Sequence, residues 1–171
     1  MKNILTKNKK IFYPNRGFTI IEVLIACVII SLTTIALMSA TTKGIELSNK
    51  ALRQAQASML IEEGIEAVKS IRDNDDNWTV IPSLSLETNY YLSFNLNTNT
   101  WSLNTTPEAP IDEIFTRTIV ISEVNRDGND DIASTGTVDD NIKKINVTVS
   151  WPDGGTINSK NINFYLTNFF N

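Results

Sequence analysis

A chain of 171 residues with no histidine, one cysteine and a formal charge of −4 has room for an anchor and one modest domain, not for a second full one. It lacks the residues for Ser-His-Asp or Cys-His catalysis and for an ordinary zinc site, and its lone cysteine excludes an intrachain disulfide. The acid excess opposes nonspecific attraction to nucleic acid, which is not an expected partner.

In chain order, residues 1–17 are basic and polar. Lys2, Lys7, Lys9, Lys10 and Arg16 stand there without an acid, and Pro14 and Gly17 discourage a helix, so this segment is expected to be disordered. From Phe18 to Thr42 the sequence is apolar and its only charged side chain is Glu22, a run long enough to cross a bilayer as a helix. Five cations before the run against Lys43 after it predict an amino terminus in the cytoplasm and a head outside. A carboxylate so near the bilayer core costs about 2.5–3.5 kcal/mol on insertion scales, which marks Glu22 as functional unless it snorkels to the interface.

Gly17-Phe18-Thr19-Ile20-Ile21-Glu22, preceded by Arg16 and followed by the apolar run, resembles the processing and assembly motif of type IV pilins and type II secretion pseudopilins. The resemblance implies that a prepilin peptidase cuts between Gly17 and Phe18 and methylates the new amino terminus. It also implies that the hydrophobic helix anchors the subunit and later joins it to other pilin or pseudopilin subunits. Removing residues 1–17 would take the formal charge from −4 to −9. An ordinary secretory signal has a shorter apolar core than this one. A lipoprotein signal around Leu24-Ile25-Ala26-Cys27 would turn polar after the cysteine, whereas Val28 to Leu37 stays apolar; Cys27 reads as a small apolar filler.

Beyond Lys43 the pattern stays helical to Arg72, with Ile45, Leu52, Ala55, Met59, Ile61, Ile65, Val68 and Ile71 predicted to form one apolar face. Unbroken from Phe18, that helix would be roughly 80 Å long. Gly44 is the expected bend or melting point. Glu62, Glu63, Glu66, Lys69 and Arg72 are spaced for pairing along a solvated face. Asp73-Asn74-Asp75-Asp76-Asn77 is predicted to end the helix, with Trp78 packing back on the head.

Past Pro82 the period changes to two. Tyr90, Leu92, Phe94 and Leu96 alternate with polar or half-polar neighbours, and Asn97-Thr98-Asn99-Thr100 turns the chain into Trp101-Ser102-Leu103 as a hairpin. Phe115 to Val124 reads as a strand, its Ile119-Val120-Ile121 run implying burial on both faces. Ile145, Val147, Val149 and Trp151 form the clearest strand, Pro152-Asp153-Gly154-Gly155 its turn, and Ile162, Phe164 and Leu166 a last strand before Phe169-Phe170, expected to dock. One apolar helix face and one apolar sheet face form the simplest single core. The expected fold is therefore α+β: a long N-terminal helix, its first half transmembrane and its second half packed on a four- or five-stranded antiparallel sheet. Residues 18–43 are the transmembrane and filament-core segment, and residues 44–171 the outer helix half and β head.

Asp127, Asn129 and Asp131 alternate as at the start of a calcium-binding loop. Ile132 and Val138 stand where such a loop needs a glycine and a further acid, so the expectation is a solvated hairpin loop without metal.

The leading expectation is a structural subunit, not an enzyme, with no cofactor. Gly17 and Phe18 serve processing and Glu22 serves assembly, in the inner membrane and then in a surface pilus or periplasmic pseudopilus. The missing disulfide, and the absence of a proline near residue 39, favour a minor pilin or minor pseudopilin. The rival is a membrane-anchored binding module whose β head never polymerises, a reading that leaves Glu22 unexplained.

Overall fold

The computed structural model describes residues 17–75 and 78–169; leader residues 1–16, Asp76, Asn77, Phe170 and Asn171 lie outside them. Helix α1 runs Ile20–Asp73, followed by the single-turn α2 (Val80–Ser83). Six strands come next: β1 (Tyr91–Asn95), β2 (Thr100–Asn104), β3 (Thr116–Arg126), β4 (Ile132–Ala133), β5 (Thr137–Asp153) and β6 (Thr156–Thr167). The chain divides into two units between Ser48 and Asn49, inside α1.

In the first unit every described residue from Gly17 to Ser48 is exposed. Gly44 is not a melting point here: it is helical, and the Lys43–Glu46 ion pair at 2.8 Å spans it. One glycine costs a helix only about 1 kcal/mol, an amount that the flanking turns absorb.

The second unit is α+β, its helix packed on antiparallel sheets. Strand order in the main sheet is β4-β3-β5-β6, every pair antiparallel. The expected hairpin is present, Phe94 opposite Trp101 with ring centroids 4.9 Å apart, but β1 and β2 form a sheet of their own. The segment before the hairpin lies along the outer edge of β3. Tyr90 exchanges both backbone hydrogen bonds with Ile119 at 2.8 and 2.9 Å, and Glu87 N–H donates to the Ile121 carbonyl at 2.9 Å.

The clear alternation in β5 is realised. Ile145, Val147 and Val149 are fully buried and Trp151 nearly so, with its ring 6.0 Å from that of Phe115. In β3, Ile119 and Ile121 are buried but Val120 between them is only half-buried, so the strand has one core face and not two. The turn into β6 uses Gly154 and Gly155 at φ 59° and 88°, the left-handed region that glycine enters without a Cβ penalty. Trp78 packs on the head as expected, its indole N–H donating to the Asp140 carbonyl at 3.2 Å.

The helix face that meets the sheet keeps the later half of the expected one, Ile61, Val68 and Ile71 buried with Ile65 half-buried, and loses the earlier half. Ala57, Ile61, Gly64, Ala67, Val68 and Ile71 are buried, while Leu52, Ala55 and Met59 stay exposed. Small side chains select this face because the sheet comes close. A Cβ on Gly64 would lie 3.0 Å from Val147 Cγ1 and 3.1 Å from Arg117 Cδ.

Charges also reach beyond the helix. Lys69 pairs with Glu66 at 2.8 Å as expected along a solvated face, but Glu63 turns to Arg117 on β3 at 3.4 Å. Arg117 is buried, donates from Nη1 to the Leu60 carbonyl at 2.9 Å, and sits 5.8 Å from the centre of the Trp101 ring. Arg72, also buried, pairs with Asp73 at 2.7 Å and lies over the Phe169 ring at 4.1 Å, which ties down the tail as far as Phe169.

Candidate functional site

The site expected from the sequence lies where α1 begins. Thr19 contributes its carbonyl to the N–H groups of Glu22 at 3.1 Å and Val23 at 3.2 Å, so it opens the helix while Gly17 and Phe18 remain outside. Glu22 falls in the first turn, where the positive end of the helix dipole favours a carboxylate. Its side chain has no hydrogen-bond or ion-pair partner among the described residues. A Cβ on Gly17 would meet nothing within 4 Å among them either, so the fold of this chain places no steric demand for glycine there.

The stretch around and after Glu22 is an apolar surface in need of a partner. Phe18 and Ile20 are 81% and 82% exposed, and Val23, Leu24, Ile25, Val28, Ile29, Ile30, Leu32, Ile35, Leu37 and Met38 are all more than half exposed. Contiguous apolar exposure on this scale marks a membrane or protein contact, and α1 contains a window long and apolar enough to cross a membrane. Its hydroxyls are compatible with hydrocarbon. Ser31 donates to the Cys27 carbonyl at 2.8 Å, Thr33 and Thr34 both to that of Ile30 at 2.9 and 2.8 Å, Thr41 to Leu37 and Thr42 to Met38 at 2.9 Å. Back-bonding of this kind satisfies these five hydroxyl protons within the helix, a property that residue-by-residue hydropathy does not reveal.

The second expected cluster is arranged differently. Asp127 Oδ1 accepts the backbone N–H groups of Asn129 at 2.8 Å and Asp131 at 3.1 Å, and Asp127 N–H donates to the Asp131 carbonyl at 2.9 Å. The alternate spacing thus closes an Asx-type turn on itself. The cation among these acids is Arg126, donating from Nε to Asp139 and from Nη1 to the Asp130 carbonyl, each at 2.6 Å. The Arg126 hydrogen bond, reinforced by the Asn141 N–H, holds the Asp139 carboxyl below its ordinary range, and Asp139 in turn raises the Arg126 guanidinium. Sequence reasoning missed this pair because its members lie thirteen residues apart on two strands.

Residues 14–38 match the family of the prokaryotic N-terminal methylation motif, the signature of type IV pilins and pseudopilins. Neither a curated protein nor a solved structure matches the chain. The motif, with the apolar helix that follows it, supports a processed, membrane-associated subunit of the pilin or pseudopilin kind, structural in character.

Proposed function

We propose that the chain is a minor pilin or minor pseudopilin. It enters the inner membrane with its head outside the cytoplasm, is cut between Gly17 and Phe18 by a prepilin peptidase, is methylated on Phe18, and is built into a filament through residues 18–43. Its destination is a surface pilus or a periplasmic pseudopilus. The domain boundaries follow: a leader at 1–17, an anchor at 18–43 and a head at 44–171.

The observation that carries the reading is a carboxylate at Glu22 with no partner among the described residues, on an otherwise apolar, wholly exposed helix start. A simple anchor has no use for that charge, whereas cleavage after Gly17 creates a positive amine four residues away, on this subunit or a neighbour. Pairing the two removes the cost of burying either alone. Gly17 is explained the same way, since its lack of a side chain matters to a cleaving enzyme and not to this fold. Mass spectrometry of the mature protein tests the proposal. The expected result is an amino terminus at methylated Phe18; an intact leader, or acylated Cys27 as the first residue, would refute it.

A further inference from the structure

We propose that the free edge of β6 is a docking strand for a second copy of this chain, paired antiparallel about a two-fold axis at Asn161. The inference rests on the edge itself. The opposite side of the main sheet is closed, because β3 is covered by the Glu87–Tyr90 segment and by β4. Among the described residues, strand β6 pairs only with β5, in continuous register from Thr156 to Thr167, and Thr156 to Asn163 are all exposed.

Long edge strands ordinarily carry a proline, a bulge or outward charges that prevent pairing with another chain. Strand β6 has twelve residues, about twice the typical length of about five or six, and has none of these devices. Its one charge, Lys160, is turned to the helix, donating to Ser58 Oγ at 2.6 Å. Exposed backbone of this kind adds a strand from a partner.

Three features select a second copy as that strand. Thr156–Thr167 holds one cation and no acid in a chain of net charge −4, so two acidic subunits meet here without facing carboxylates. The exposed apolar residues Ile157, at 79%, and Tyr165, at 49%, lie on one face, each four positions from Asn161. Antiparallel pairing centred on Asn161 therefore sets each Ile157 opposite the other copy's Tyr165, the β-branched and aromatic pairing that sheets favour. The same register places Ser159 opposite Asn163 and Lys160 opposite Ile162, never lysine opposite lysine. The interface is isologous, as two-fold symmetry requires.

Disulfide trapping in cells making the full-length chain tests the register, with Cys27→Ser removing the native thiol. Read before filament entry, the outcome does not depend on processing. Asn161→Cys, placed opposite itself, is expected to give a linked species of twice the subunit mass on mild oxidation. Ile157→Cys expressed together with Tyr165→Cys is expected to do the same. Ile157→Cys alone should link roughly tenfold less, because its two copies would stand about 27 Å apart along the strand, against a disulfide limit of about 7 Å. Equal linking by Asn161→Cys and Ile157→Cys alone, or a linked species of any other mass, overturns the proposal.

Discussion

Gly64 sets the distance between helix and sheet, and Gly64→Ala measures how firmly. In an exposed helix the change would stabilise by about 1 kcal/mol, the ordinary propensity difference. Here the added methyl meets Val147 Cγ1 at 3.0 Å and Arg117 Cδ at 3.1 Å, so both neighbours must retreat by a few tenths of an ångström. Val147 is fully buried on β5, held between β3 and β6, and Arg117 is tethered at its far end to the Leu60 carbonyl. Overpacking a core that cannot move costs about 1–3 kcal/mol. The net expectation is a loss of up to about 2 kcal/mol, with Gly64→Val worse because it adds two further methyl groups to a Cβ that is already too close to its neighbours. Tryptophan fluorescence during chemical denaturation is the suitable assay, since Trp78, Trp101 and Trp151 all lie in the unit that contains Gly64. A stabilisation near 1 kcal/mol would show that the sheet yields freely and that Gly64 is no spacer.

Arg117→Met is expected to move head stability by less than about 2 kcal/mol, because a charge-assisted hydrogen bond worth about 1.5–3 kcal/mol is lost together with a buried charge whose Nε lacks a partner; a loss above about 4 kcal/mol in the same denaturation assay would refute this balance. Asp139 has a folded pKa below its ordinary 3.8, so its contribution is fully present above that value and is lost as pH falls through the lower folded one. Stability should therefore decline with acid below about pH 4, less steeply in Asp139→Asn, and identical acid slopes would sink the assignment. Glu22→Ala is expected to be inserted and cleaved but depleted from sheared filaments relative to the membrane pool, and equal ratios of variant and wild type in both fractions would deny Glu22 an assembly role.

The parts of this molecule that were legible in the sequence are those whose signal is linear. The N-terminal methylation motif is one unbroken stretch, residues 14–38, and the β5 alternation needs only a window of seven residues, Ile145 to Trp151, to be read. The buried helix face was legible only at Ile61, Val68 and Ile71. Apolar residues occur around much of α1, and the choice among them is made by Ala57, Gly64 and Ala67, whose small size matters only once the sheet is in place. The separate β1–β2 sheet and the Arg126–Asp139 pair depend on contacts between segments that no local pattern encodes. Likewise, Asp127, Asn129 and Asp131 have the spacing of metal ligands, but a backbone that curls back to satisfy Asp127 uses the same spacing.

Within the apolar segment, the polar side chains sort into two kinds, and the sorting bears on how Glu22 acts. Beyond the first turn, every serine and threonine up to Thr42 except Ser39 returns its hydroxyl proton to a carbonyl three or four residues back. Those groups enter hydrocarbon, or the interior of an assembly, with their hydrogen bonds already made. A carboxylate in the first turn has no such recourse, because the nearby backbone N–H groups supply only a partial positive charge. Whatever neutralises Glu22 must come from outside the described chain. Glu22→Gln separates charge from hydrogen bonding here: it keeps a polar acceptor of nearly the same shape and loses the negative charge. If an amine is the partner, Gln should be depleted from filaments almost as strongly as Ala, since a full charge would be left without a counter-ion, typically at about 3–5 kcal/mol when buried. If Gln is incorporated like the wild type, a hydrogen bond suffices, and the proposed ion pair between Glu22 and the amine of Phe18 is wrong.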